Sequence, residues 1–166
     1  MNQRTNFCTE DVAHVGSVFI IINQEPYRGH FARFTTMKII NVVAFEESVL
    51  FNVDEKVPAY KADEQSGEMV QTEDTSFSMS YSDLARQCYP LNPDIAELRS
   101  LRGQHLSGED WIKLLTGATI TVNFDFVKEG DEKDGFTYEN TGYIKTLKSL
   151  RLSDRVAARL DRALGF

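Results

Sequence analysis

The chain has 166 residues, of which 42% are hydrophobic and 26% are charged, and its formal net charge is −7. This length and composition are typical of a soluble globular protein, and we expect a single domain over residues 1–166. The N-terminus lacks the apolar core of a signal peptide, and the longest apolar run, Val18–Ile22, is too short to span a bilayer, so we expect a cytoplasmic protein without membrane contact.

Three segments in the N-terminal third have the composition of β-strands. Val18–Asn23 is a run of apolar, mostly β-branched residues. Phe31–Phe45 is unusually long for one strand, which predicts a β-bulge near Thr35–Thr36. A short acidic turn then leads to the third strand, which is predicted at Ser48–Val53.

The segment Asp54–Ser78 is the most acidic part of the chain, with seven acids and two lysines, a net charge of −5. Long polar segments without periodicity are usually functional or disordered. We therefore predict an acidic loop inserted over residues 54–78, which offers contacts to protein partners. An additional edge strand at Glu68–Thr72 remains open.

Residues 80–116 carry the start and stop signals of three helices. Ser82 is predicted to cap the first helix, and Pro90 to end it, because proline cannot donate the next backbone hydrogen bond. Pro93 opens the second helix, since proline is favoured in a first helical turn. Ser107 is predicted to cap the third, with an acid three residues further on that approximates a capping box.

Two strands and a closing helix are predicted for the C-terminal part. Ala118–Lys128 shows the clearest strand pattern, in which polar residues alternate with Ile120, Val122, Phe124 and Phe126. A charged hairpin loop leads to the second strand, Phe136–Leu152, with a turn or bulge at Asn140–Gly142. A C-terminal helix is expected over residues 153–164, capped by Ser153.

The order of these elements is strand, strand, strand, helix, strand, strand. This order favours an α+β, β-rich fold built on a five-stranded Greek-key barrel of the oligonucleotide/oligosaccharide-binding (OB) type, with helices between strands 3 and 4 and a C-terminal helix. Such barrels bind ligands on the face of their second and third strands and on adjacent loops. No catalytic motif is visible, so the fold carries most of the functional inference.

Aromatic and basic residues alternate around the first turn and the second predicted strand. Single-stranded nucleic acid is held by this mixture, because rings stack on bases while cations contact phosphates. We therefore predict a non-catalytic single-stranded DNA-binding protein that uses Tyr27, Arg28, Phe31, Arg33, Phe34 and Lys38. Phe31 and Phe34 have opposite strand parity, so it stays open whether both face a ligand or belong to the core.

A second set of basic residues lies near the C-terminus. It offers secondary phosphate contacts through Lys145, Lys148, Arg151, Arg155 and Arg159. Arg162 continues the same helical stripe. The alternative is an ordinary solvated helix face, with the charges neutralised by Asp154 and Asp161.

Other functional classes find little support in the residue pattern. The histidines are scattered, the glycines form no phosphate-binding loop, and Cys8 and Cys88 are expected to be free thiols. We therefore expect no enzymatic activity, no cofactor and no metal. The alternative function is a structural or assembly protein, such as a virion or multiprotein-complex component, that binds other proteins and forms homo-oligomers.

Overall fold

The computed structural model describes residues 13–14, 17–19 and 32–165. Its strands are β1 (Ala13–His14), β2 (Ser17–Phe19), β3 (Ala32–Ala44), β4 (Ser48–Ala62), β5 (Met69–Ser80), β6 (Thr119–Val127), β7 (Glu132–Lys133), β8 (Phe136–Thr137) and β9 (Gly142–Arg151). Its helices are α1 (Tyr81–Leu91), α2 (Pro93–Arg102), α3 (Gly108–Leu115) and α4 (Asp154–Leu164). The five long strands form an antiparallel sheet, so the predicted α+β class is confirmed.

The pairing of the long strands differs from their order in the chain. Strand β3 pairs with both β4 and β6, β4 also pairs with β5, and β6 also pairs with β9. The spatial order is therefore β5-β4-β3-β6-β9, in which β6-β3-β4-β5 has the fourth strand beside the first, as in a Greek key. In the chain, α1, α2 and α3 all lie between β5 and β6, the third and fourth long strands.

The segment predicted as an acidic loop is in fact mostly strand. Strand β4 continues to Ala62 and β5 begins at Met69, so only residues 63–68 form a turn. The Asp63 carboxylate accepts hydrogen bonds from the backbone N–H groups of Ser66 and Gln65, and hydrogen bonding, chiefly by Ser66, lowers its pKa. The strands escaped detection because β5 is exposed on both faces for most of its length, which leaves no apolar alternation to read.

The described residues fall into two compact units. The first contains the described residues of Met1–Thr36 together with Val57–Asp74 and Val122–Thr146. The second contains Met37–Lys56, Thr75–Thr121 and the described residues of Leu147–Phe166. No helix within residues 32–165 is both long and apolar enough to cross a membrane.

The first unit has a core of strand residues. Val57, Val122 and Phe124 are buried, and the Phe126 ring lies 5.6 Å from that of Tyr60 between centroids. Phe126 also packs at 5.1 Å against the ring of Tyr143. The four apolar positions predicted to alternate along β6 are all buried, but the alternation ends at Asp125, because Asp125 and Val127 are buried as well.

A small hairpin, β7–β8, belongs to the same unit and replaces part of the predicted charged loop. Asp134 and Gly135 both have positive φ, 55° and 83°, as the tight two-residue turns that suit hairpins require. Lys133 forms an ion pair with Asp125, whose side chain is buried on β6. The predicted break at Asn140–Gly142 is confirmed, since β9 begins at Gly142.

The second unit packs its helices on apolar strand residues. Its fully buried large side chains are Ile39, Val49, Phe51, Leu84, Ile95, Trp111, Leu115 and Ile120. The β-bulge predicted near Thr35–Thr36 lies further along β3, where the register with β4 shifts between Ile39 and Asn41. The shift leaves Ile40 and Asn41 both exposed, although they are consecutive residues of one strand.

The first helix begins and ends differently from its prediction. Its N-cap is Ser80, whose hydroxyl accepts from the backbone N–H of Asp83, so Ser82 lies inside the helix. Pro90 does not end the helix but lies in its last turn, which extends to Leu91. Proline is tolerated there because only one backbone hydrogen bond is lost, and Asn92 N–H closes the turn on the Cys88 carbonyl.

The capping box predicted at Ser107 is present and is reinforced by an arginine. Asp110 accepts a hydrogen bond from the Ser107 backbone N–H at 2.9 Å, and both of its oxygens lie 2.8 Å from Arg102 Nη1. Burial raises the pKa of Asp110, but the hydrogen bonds from Ser107 and Arg102 outweigh it, so the net shift is downward. The ionised carboxylate therefore stabilises the folded state.

We expect Asp110→Asn to lower the free energy of unfolding at neutral pH by about 1 kcal/mol, the usual contribution of a helix cap. Since the folded pKa lies below the unfolded value of about 3.9, this contribution is fully present above that value and is lost as pH falls through the folded pKa. Urea unfolding at about pH 7 and about pH 2 measures the difference. Glu109→Gln, at the exposed neighbouring position, is the control. An equal effect of Asp110→Asn at both pH values would contradict the assignment.

Candidate nucleic-acid interface

The residues predicted as the primary binding set do not form one open surface in the part of the chain that the structure describes. Tyr27, Arg28 and Phe31 lie outside the described residues. Arg33 is described, but its Nη1 lies 2.6 Å from Glu73 Oε2 and its side chain is only 13% exposed. The guanidinium is therefore paired with a carboxylate and largely shielded from solvent in this structure.

Phe34 and Lys38 follow the alternation of β3. Thr35, Met37 and Ile39 are buried, whereas Lys38 is exposed and Phe34 is half-buried. Successive strand residues point to opposite faces, so Arg33 shares the parity of the buried residues and Phe34 and Lys38 share the other. Lys38 is also anchored through its backbone N–H, which donates to Asp54 Oδ1 at 2.8 Å.

More residues of the secondary predicted set than of the primary set lie on the surface that the structure describes. Lys145 is half-buried in β9 and has an interaction of its own. Lys148 and Arg151, at the end of β9, are exposed, as are Arg155 and Arg159 on α4. Four of the five predicted phosphate contacts are therefore accessible in the second unit.

Helix α4 presents these arginines because of its local sequence. The Ser153 hydroxyl caps its first turn by accepting from Val156 N–H, and Gly165 ends it with a left-handed backbone at φ 87°. Val156 and Leu160 are buried, which fixes the rotation of the helix about its axis. The residues on the remaining surface are therefore held in defined directions.

Three arginines of α4 form a narrow stripe, which we call the α4 stripe: Arg155, Arg159 and Arg162. Successive residues of an α-helix are rotated by about 100° around its axis, so Arg159 and Arg162 both lie within about 40° of Arg155. All three are exposed, and none has an ion pair to a carboxylate among the residues that the structure describes. Arg162, which the sequence already placed in this helical stripe by its spacing of seven residues from Arg155, is therefore exposed together with the other two.

The acids of α4 are set apart from the stripe. Asp154 and Asp161 lie about 100° and about 120° from Arg155 around the axis, on the side away from the buried residues. Asp154 is 3.7 Å from Arg151, and both side chains are largely exposed, so this pair is weak. Of the predicted local neutralisation, the described residues therefore show the Asp154–Arg151 pair, which lies outside the α4 stripe.

An exposed apolar face on β3 and the turn that follows it is a second surface feature of this unit. Ile40 is 56% and Phe45 is 55% exposed, and Val43 is also exposed opposite Leu50 of β4. Phe45 is held at the turn through its carbonyl, which accepts from the Tyr81 hydroxyl at 2.7 Å. Sequence reasoning missed this face because an apolar strand residue is ordinarily assigned to the core.

Cys88 and the metal-ligating residue types are further chemistry-bearing groups of the described chain. Cys88 is buried, and burial raises the pKa of its thiol to about 12, so the thiolate needed for a nucleophile is absent at neutral pH. Within the described residues, no group of three or more His, Cys, Asp or Glu side chains is placed to hold a metal ion.

Comparisons with protein-family models, with curated proteins and with solved structures find no match for this chain. The functional argument therefore rests on the geometry and charge of its own residues.

Proposed function

We propose that this protein binds single-stranded nucleic acid, without catalysis, through the α4 stripe and the neighbouring cations Lys148 and Arg151. The observation that carries the proposal is the set of three exposed arginines on one side of α4, separated from the acids of the same helix. Arginine suits this role because its planar guanidinium binds a phosphate through two parallel hydrogen bonds. The stripe extends about 10 Å along the helix, enough for more than one phosphate.

The strand arrangement supports an OB-type barrel as the scaffold. The Greek-key order of β6-β3-β4-β5, with helices between the third and fourth long strands, agrees with that architecture. Three helices occupy the position where one is usual. In this scaffold α4 is an addition at the C-terminus.

The usual OB binding face is an unfavourable place for phosphates in this chain. Its second and third strands correspond to β4 and β5, whose exposed or half-buried acids are Asp54, Glu55, Glu73 and Asp74. Carboxylates repel a polyanion unless cations outnumber them. The proposed interface is therefore on α4, and binding through Arg33, Phe34 and Lys38 is not part of it.

Titration of a labelled oligonucleotide at several salt concentrations tests the proposal. Binding releases counterions, so the affinity falls with salt by a power of about 0.7 for each phosphate contacted on a single strand. A fourfold rise in salt should weaken binding about 20-fold if the three stripe arginines make the contacts. The loss should approach about 100-fold if Lys148 and Arg151 also take part. A flat signal at low salt would refute nucleic-acid binding.

A second candidate function is assembly with other proteins. The exposed apolar face formed by Ile40, Val43 and Phe45 favours it, because exposed apolar patches often mark protein contacts. Association through this face would be driven by apolar burial and would persist at high salt. The two candidates are therefore separated by their opposite response to ionic strength.

A further inference from the structure

We propose that the α4 stripe of one molecule docks onto the acidic turn between β4 and β5 of a second copy, so that the chain associates with itself. The acidic turn is residues 63–68, whose exposed acids are Glu64 and Glu68. The α4 stripe is an unpartnered helix face, and the second copy is its occupant by charge complementarity.

The two glutamate carboxylates of the acidic turn have no ion pair with a residue that the structure describes. Farther along β5, Glu73 is paired with Arg33 and Asp74 with Lys61 at 2.9 Å. Glu64 and Glu68 are exposed and have no ion pair with any residue of the described chain. Both therefore remain able to meet cations of another molecule.

The acidic turn is also ordered, which reduces the entropy lost on docking. Asp63 stabilises the turn. Its carboxylate accepts hydrogen bonds from the backbone N–H groups of Gln65 and Ser66, its carbonyl accepts from Gly67 N–H, and its own N–H donates to the Glu68 carbonyl. The backbone that carries Glu64 and Glu68 is thereby held in a defined turn.

Exposed apolar side chains accompany the charges on both surfaces. Met69, immediately after the acidic turn, is 51% exposed, and Val70 is also exposed. On the other side, Leu101 is 61% exposed on α2, a helix that packs against α4. Apolar contact beside the ion pairs would strengthen an interaction that surface charges alone make weak.

The two surfaces are different parts of the chain, so each copy offers one of each to its neighbours. Either a repeating head-to-tail chain or a two-fold dimer in which both contacts form reciprocally satisfies this pairing. The turn's carboxylates occupy the position proposed for nucleic-acid phosphates, so an oligonucleotide should dissolve the oligomer. Only this predicted competition depends on the proposed nucleic-acid binding; the self-association does not.

The test is sedimentation velocity of the full chain at about 0.02 M and about 0.5 M salt. We expect oligomers at low salt and monomers at high salt, because screening removes the ion pairs. Glu64→Lys combined with Glu68→Lys should abolish association, and so should Arg155→Glu combined with Arg159→Glu. A variant carrying all four changes should regain it, since the charges are exchanged between the two surfaces.

The control is Glu46→Lys combined with Glu47→Lys, which changes the net charge equally at the exposed β3–β4 turn and should associate as the wild type does. The proposal is overturned by a wild-type monomer at low salt, by oligomers that persist at high salt, or by acidic-turn variants that behave like the control. If the charge exchange restores oligomers but an oligonucleotide does not dissolve them, the docking stands and the nucleic-acid role of the α4 stripe fails.

Discussion

Replacing the three arginines of the α4 stripe with glutamine is expected to reduce oligonucleotide affinity at low salt by at least about tenfold. The change removes three phosphate contacts, so the slope of log affinity against log salt should become shallower by about 2. Glutamine has nearly the helix propensity of arginine, and the three positions are exposed, so the fold should remain intact. Fluorescence anisotropy over a salt series measures both quantities.

The matched control removes the same total charge from exposed positions elsewhere: Arg86→Gln, Lys113→Gln and Lys128→Gln. It should leave the salt slope unchanged and alter the affinity only slightly, because it changes the net charge but no proposed contact. Equal losses in the two triple variants would show that overall charge, not the α4 stripe, determines binding. Unchanged unfolding temperatures would show that neither result reflects loss of structure.

Trp111→Ala is expected to lower the free energy of unfolding by about 3–5 kcal/mol, the largest stability effect predicted for this chain. Trp111 is the largest fully buried side chain of the described residues, and its ring stacks on that of Tyr89 at 6.2 Å between centroids. Removing it leaves a cavity beneath α3 in the second unit, in addition to the lost apolar burial. Chemical denaturation followed by far-ultraviolet circular dichroism measures the change.

Trp111→Phe is the control for this prediction, because it keeps an aromatic ring and most of the buried area. We expect a clearly smaller loss of stability than for alanine. Similar, small losses for both variants would mean that the position is less tightly packed than the structure shows.

Several features followed from signals only a few residues long. The capping box at Ser107, proline at the start of α2 and the buried alternation of β6 each depend on neighbouring residues and backbone preferences. The C-terminal helix was predicted within a residue of its observed start for the same reason. Such signals are readable because hydrogen-bond capping and side-chain periodicity act locally.

The acidic segment shows where local reading failed. Residues 69–76 have no buried face to impose an alternating pattern, yet they form a strand because β4 provides their hydrogen-bonding partner. Pairing of this kind depends on the chain folding back on itself. A polar composition alone therefore favoured a loop incorrectly.

The candidate site likewise combines features set by local sequence with features set by tertiary contacts. The sequence by itself determined the spacing of Arg155, Arg159 and Arg162, because a helix of 3.6 residues per turn places them on one side. Only the tertiary structure decided that this side is exposed, through the burial of Val156 and Leu160. The tertiary structure also decided that Arg33 is paired with a carboxylate, because its partner Glu73 lies 40 residues away in the chain. Helical periodicity depends only on the spacing of neighbouring residues, whereas exposure and ion pairing depend on which distant segments meet in the folded chain.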